Sequence, residues 1–408
     1  MLLLRHIAAS LILATICGLQ AQELFDASPG SRLRFHPSDR AVLADNSNRS
    51  DFECQVLPQS PLLGFDLKFT AGYVVRVPAR TVGSAGDSVR ILFRVRPAGT
   101  TRAPAVYFRQ NFDIPNVSAD SGTAAFPGRF VVGPGQYEID WLMRNQQGRV
   151  CSAHWRADAQ MPSRTALLAA AAPTNLISPY REHTFADEPP VARSTESPGG
   201  LHISLLVNLA PLDRNRFKLT AHEIESLVTM LRTFHREPSL GLFSLTAFHA
   251  YNRQVVYAVE RQPRLDFAAL GKAIESMPSG LVDVDSLADE DGDEHFLSSL
   301  LNSAFDTARE RPDAFVIMGS KIDRDAAISP ELLNIAARPG AIFQFSFNRN
   351  PRSYPWPGAI EAALRPYGLV HSNVTRPQDF SRALAGFLDA MGASPANARA
   401  EVSGPPAN

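Results

Sequence analysis

The sequence predicts two folded domains of different class: an all-β sandwich over residues 51–161 and a doubly wound α/β sheet with one antiparallel edge strand over residues 200–392. Three observations predict this. Between about residues 50 and 160 apolar side chains recur at every second position, the period of a half-buried strand. After Gly200 the pattern changes to apolar runs that alternate with helical stripes, as a sheet covered on both faces requires. Between the two, residues 162–199 hold an alanine run, the pairs PP and GG, and scattered Ser and Thr, a composition that reads as a linker. At 408 residues the chain is also too long for one ordinary core.

The elements follow in order. Arg5 precedes the apolar run IAASLILATICGL, too short to span a bilayer but suited to a secretory signal, so residues 1–21 are expected to be a signal peptide cleaved after Ala21. The bulky Ile16 before Cys17 argues against lipidation. Residues 22–50 are polar and read as irregular. In SVRILFRVR, Val89, Ile91, Phe93 and Val95 share one face and Arg90, Arg94 and Arg96 the other. In QYEIDWLMR, Tyr137, Ile139, Trp141 and Met143 alternate with Glu138, Asp140 and Arg144. GYVVRVP and AVYFRQNF repeat the pattern, and NQQG joins QYEIDWLMR to RVCSAHW as a hairpin does. With Cys17 removed, Cys54 and Cys151 remain, and an even count in an exported chain predicts a disulfide.

In the second half LHISLLVNLA is a nearly continuous apolar strand, followed by LTAHEIESLVTMLRTFHR with Ile224, Leu227, Val228 and Leu231 on one stripe. Thr220 and Glu223 are spaced as a capping box. GLFSLTAFHAY and RQVVYAVE read as a hairpin, then come helices at LDFAALGKAIESM and HFLSSLLNSAFDTARER, the strand DAFVIMGS, a helix near PELLNIAARP, the strand AIFQFSFN, a helix at WPGAIEAALRPY, an edge strand near LVHSNV and the helix QDFSRALAGFLDAM. Residues 393–408 are expected to be a disordered tail. His222 and His235 read as exposed helix residues.

Two resemblances rest on these residues. GPGQYEIDW resembles the tyrosine-corner region of immunoglobulin-like domains. The buried cysteine of antibody domains is missing from this strand; Cys151 lies on the next one, which places its partner Cys54 most simply on the first strand, tying the two ends of the domain together. The order of elements over residues 200–392, with the pairs LHISLLVNLA and HFLSSLLNSAFDTARERPDAFVIMGS, resembles the von Willebrand factor type A domain, a Rossmann-like fold. A sandwich ahead of such a domain also resembles bacterial proteins with a type A-related domain.

The resemblance implies a site to look for. Metal-binding members use Asp-x-Ser-x-Ser after the first strand and an Asp after the fourth, because Mg²⁺ needs close, hard oxygens. Here those positions are Asn208, Ala210 and Leu212, then Gly319, Ser320 and Lys321. The charged ligand and hydroxyls are absent, with Asp213 and Asp323 several residues away, so no metal and no cofactor are expected. The acidic run DVDSLADEDGDEHF, whose acids span residues 283–294, fits no EF-hand register and reads as a solvated loop, with calcium left open.

Other chemistries are weaker. Charge is balanced, 40 basic against 41 acidic side chains, so no field draws nucleic acid. No glycine-rich loop follows LHISLLVNLA, which argues against a nucleotide. AHEIES lacks the second His of a zinc-protease helix, since Ser226 stands there. Ser320 with His371 and Asp323 could serve as a hydrolase triad, but no Gly-x-Ser-x-Gly surrounds Ser320. The expected function is therefore a secreted or periplasmic, non-enzymatic binding protein that meets a protein partner in the cell envelope or outside the cell. The alternatives are a serine hydrolase using Ser320 and His371, or a structural envelope component. The loop NRNPRSYPWPG offers Arg349, Arg352, Tyr354 and Trp356 as contact residues.

Overall fold

A computed structural model describes residues 23–25, 37–45, 47–82, 88–99, 105–114, 122–160, 173–180, 184–191, 193, 200–277, 291–306, 311–322, 328–335, 340–348 and 354–392. The expected signal peptide and tail lie outside the described residues. The described chain divides into two compact units, residues 23–62 with 69–160 and 173–180, and residues 63–68 with 184–392. Among the described residues no helix is long and apolar enough to cross a membrane.

The first unit is a sandwich of two antiparallel sheets. One has the order β1-β5-β4-β7-β8, from Glu23–Phe25, Val106–Asp113, Ser88–Pro97, Gly135–Arg144 and Val150–Ala159. The other has the order β2-β3-β6-β9, from Gln55–Leu63, Phe69–Pro78, Thr123–Val132 and Ile177–Pro179. The period-two pattern is what builds it: Val89, Ile91, Phe93 and Val95, with Tyr137, Ile139, Trp141 and Met143, are all buried. Rings from the two sheets meet edge to face, Tyr73 lying 5.6 Å from Phe93 and 5.5 Å from Trp141. Gly128 admits that packing, because a Cβ there would come within 2.2 Å of the Tyr73 ring. The Tyr137 hydroxyl donates to the Gly133 carbonyl at 2.9 Å, the bond of a tyrosine corner. Cys54, just ahead of β2, is bonded to Cys151 on β8, so the disulfide joins one edge of each sheet.

Two stretches do more than the sequence suggested. Residues 22–50, irregular by their composition, supply β1 and the helix α1, Pro37–Ala44. Its Val42 and Leu43 pack on Leu92, Leu142 and Val150 of the sheet. The 162–199 stretch read as linker supplies β9, which pairs with β6 through Ile177, Ser178 and Pro179. A single turn, α2, Ala79–Val82, follows β3.

The second unit is a six-stranded sheet with order β12-β11-β10-β13-β14-β15, parallel except for β12 against β11. The strands are β10 Leu201–Asn208, β11 Leu240–His249, β12 Gln254–Gln262, β13 Ala314–Gly319, β14 Ala341–Phe347 and β15 Val370–Val374. On one face Ile203, Leu205 and Val207 pack beneath α3 (Ala221–Arg236), α4 (Phe267–Glu275) and α7 (Pro377–Ala390). On the other, Leu206, Phe248 and Ile317 meet α5 (Gly292–Ala304) and α6 (Ala359–Leu364). The capping box on α3 forms as read, with Thr220 and Glu223 each satisfying the other's backbone. The helix expected near PELLNIAARP does not form over residues 333–335. Among the described residues there is a 3₁₀ turn at Pro330–Leu332, and the Asn302 side chain holds the chain on either side of Leu333 by bonding Leu332 O at 2.8 Å and Asn334 N at 2.7 Å.

Candidate functional site at the strand ends of the second unit

Strand order reverses between β10 and β13, and open α/β sheets bind ligands in the crevice beyond the carboxyl ends at such a point. Here the crevice is closed. Asn208, buried at the end of β10, donates from Nδ2 to the Ser320 carbonyl at 3.0 Å and accepts at Oδ1 from the Ala210 amide at 3.0 Å. Gly319 has φ +122°, and a Cβ there would sit 2.3 Å from the Asn208 carbonyl oxygen. What remains is a void of about 10 Å³ beside Gln344, room for one water. The Gln344 Oε1 is buried without a partner among the described residues.

The next residues bind inward as well. Lys321 is 5% exposed; its Nζ donates to the Trp356 carbonyl at 3.1 Å and lies 3.9 Å from Glu361 Oε2. Ala359 N donates to Ile322 O at 3.1 Å, so the end of β13 grips the loop ahead of α6. Of the expected metal-site positions, Asn208, Ala210, Ser320 and Lys321 are buried and Leu212 is half-buried. No group of three or more metal-ligating side chains occurs among the described residues.

His371 does not pair with Ser320 in this arrangement. Its Nε2 is 3.0 Å from Ser346 Oγ and its Nδ1 is 3.5 Å from Glu361 Oε1, which Arg365 also reaches at 3.1 Å. Burial pushes the His371 pKa below its ordinary value; Glu361 opposes the shift, and Lys321 and Arg365 add to it. Ser346 is fully buried in β14, so this Ser–His–Glu array has no open nucleophile. Asp323 lies outside the described residues.

On the crest formed by these strand ends and the loops beyond them, Trp356 is 55% exposed and Phe217 46%, while Tyr354 is half-buried. Arg349 and Arg352 lie outside the described residues. So does most of the acidic run, including Asp283, Asp285, Asp289 and Glu290. Its last acids are engaged by protein: Asp293 takes Arg214 and Arg253, each at 2.8 Å, and Glu294 accepts from Ser329 N at 2.7 Å. Away from the crest, a cleft of about 770 Å³ separates α5 from β10–β12. Its polar floor is internally bonded, His202 Nε2 to Ser244 Oγ at 2.9 Å and Arg261 N to the same oxygen at 3.1 Å.

Sequence reasoning missed Glu361, Ser346 and His235. His235 was read as exposed and is fully buried, because it falls one helical turn beyond Leu231 on the apolar stripe of α3; that spacing was a usable signal. The local sequence marks Glu361 only as an i,i+4 partner of Arg365; Lys321 and His371 come to it from other elements.

No protein-family model matches the chain, and no curated protein matches it. Among solved structures, the ApaA protein of Bordetella pertussis is 14% identical over 28% of this chain and 94% of its own, with a TM-score of 0.18. A Bacteroides uniformis β-glucuronidase is 10% identical over 84% of this chain and 44% of its own, at 0.18, and a Listeria innocua β-glucosidase 8% identical over 27% and 16%, at 0.17. At such scores these likenesses carry no argument, and the architecture rests on the strand order itself.

Proposed function

We propose that the chain is an exported, non-enzymatic binding protein whose second unit is a von Willebrand factor type A-like domain that contacts a protein partner without a metal ion. Lys321 carries the reading: its buried ammonium stands where metal-binding members of that family place a carboxylate, and it is bonded to the Trp356 carbonyl. With Asn208 also turned inward, the crest offers no charged oxygen at residues 208, 210, 212, 320 or 321 to offset the dehydration of Mg²⁺. The strand order and the antiparallel β12 support the type A-like assignment. The Cys54–Cys151 bond supports an oxidising, secreted or periplasmic location.

Recognition then rests on shape and hydrogen bonding, with the exposed Trp356 as anchor, a residue type enriched at interface hot spots. The test is capture from a cell-envelope extract by the immobilised protein, with Trp356→Ala and Tyr354→Ala beside it, and calorimetric titration with Mg²⁺. The expected result is a partner lost with Trp356→Ala and a flat titration. Saturable Mg²⁺ binding that disappears with Asn208→Ala overturns the proposal. The hydrolase alternative gains only the His371–Ser346 contact, and burial of Ser346 counts against it. Labelling of Ser320 or Ser346 by a fluorophosphonate would restore that alternative; recovery only in an insoluble envelope fraction would favour the structural one.

A further inference from the structure

Residues 184–191 and 193, inside the stretch read as linker, lie on the second unit as a strap with three anchors. Phe185 sits against Gly271 of α4, where a Cβ would come within 2.5 Å of its ring. The buried Glu188 carboxylate takes Arg236 at 2.8 and 2.9 Å and also pairs with Arg232, while Arg264 donates to the Glu188 carbonyl at 2.6 Å. Arg193 donates to the carbonyls of His235 and Glu237, each at 3.0 Å, which closes the C-terminus of α3, and its guanidinium lies 5.5 Å above the Phe243 ring.

The His235 ring is fully buried at the same place, 5.7 Å from Phe243 and 5.9 Å from Phe267, and neither nitrogen has a partner among the described residues. The charged groups facing it are mostly cations: Arg193 on the strap, Arg236 on its own helix and Arg264 ahead of α4. Arg232 stacks on Phe267 at 4.4 Å. Of the carboxylates, Glu188 is already shared by two guanidiniums, and Glu237, beyond the helix, is bonded by Ser239. An imidazole fits this cage as a neutral ring; an imidazolium would add a charge with no acceptor.

We propose that protonation of His235 releases residues 184–191 and 193, making the strap an acid-opened latch on the second unit. Burial, then Arg193, hold the His235 pKa down to about 4, whereas lifting the strap takes Arg193 off the His235 carbonyl and the Phe243 ring beside it, and the pKa moves back toward its ordinary value. The sign follows from linkage: the lifted state binds the proton more tightly. The latch is therefore fully held above about pH 6.5 and weakens as pH falls toward about 4, by at most about two orders of magnitude.

Hydrogen exchange by mass spectrometry at about pH 7 and about pH 4.5, corrected for intrinsic rates, tests this on the whole chain. The expected result is a loss of protection of about tenfold or more in peptides covering 184–193 at the acid pH, with β10 and β13 unchanged. His235→Phe should keep the strap protected there, and Glu188→Gln should loosen it already at neutral pH. A strap equally protected at both pH values overturns the proposal, as does opening in His235→Phe that matches the wild type. If that variant does not fold, the His235 ring resonances of the wild type decide: a titration midpoint near the ordinary histidine value with the strap still protected overturns it, and a midpoint that coincides with strap opening upholds it.

Discussion

Each unit buries an acid between a cation and a histidine, and the two clusters are built to different tolerances. In the sandwich, Asp140 stands between Arg94, at 2.6 Å, and His154, at 2.8 Å. Both partners are its direct cross-strand neighbours, Arg94 on β4 and His154 on β8, so the ladder register sets the distances. In the α/β unit, Glu361 on α6 stands 3.9 Å from Lys321 and 3.5 Å from His371, residues brought in from the ends of separate elements. A sheet fixes its neighbours through backbone hydrogen bonds, whereas a helix end and a loop fix theirs only through packing. The tight cluster is therefore expected to act as structure, and the loose one can lose a member cheaply.

The largest effect that separates them is Asp140→Ala. It leaves the half-buried Arg94 guanidinium without a carboxylate, held by the Leu43 carbonyl and Tyr107, so a loss of about 3–5 kcal/mol in urea denaturation is expected. Arg94→Met with Asp140→Leu, which removes both charges, should recover most of that loss. A single Asp140→Ala that costs no more than a surface substitution would erase the distinction between the clusters.

The disulfide sharpens the comparison, because of the two units only the sandwich carries this covalent tie. Cys54→Ser with Cys151→Ser releases a bond across 97 residues of sequence, and about 2–4 kcal/mol should be lost from the unfolding of the first unit. The second unit, followed by the exchange protection of β10 and β13, should not change.

How much of this was legible follows from where each residue finds its partners. The strands β3, β4, β5, β7 and β8 were readable because their alternation is local and uninterrupted. β2 and β6 were not: Pro58 and Pro61 break the first pattern, and Pro127 with Gly128 break the second, although Gly128 is required by the Tyr73 ring. The Asp140 cluster could have been found, since Arg94 and His154 occupy the matching faces of neighbouring strands. The Glu188 strap could not, because its anchors Arg232, Arg236 and Arg264 mean nothing until α3 and α4 are placed side by side. Absence of a metal motif was plain from Asn208 and Lys321; that both side chains bond inward was not.

The smallest effect is the most informative about the crest. Lys321→Met replaces the buried ammonium by an apolar chain of similar length, and Glu361 keeps Arg365 at 3.1 Å, so stability should change by less than about 1 kcal/mol. What should change is the loop: without the bond to its carbonyl, Trp356 is no longer tethered to the end of β13, and quenching of its fluorescence by acrylamide should rise. Trp141 and Trp155 supply an internal reference from the first unit, Trp141 being fully buried. A loss comparable to that of Asp140→Ala would mean that the 3.9 Å separation understates the coupling and that the crest is a structural ion pair after all. Unchanged stability with unchanged quenching would mean that Pro355, Pro357 and the close packing of Gly358 on Ile322 hold the loop by themselves, and Lys321 would then only occupy the place of a ligand.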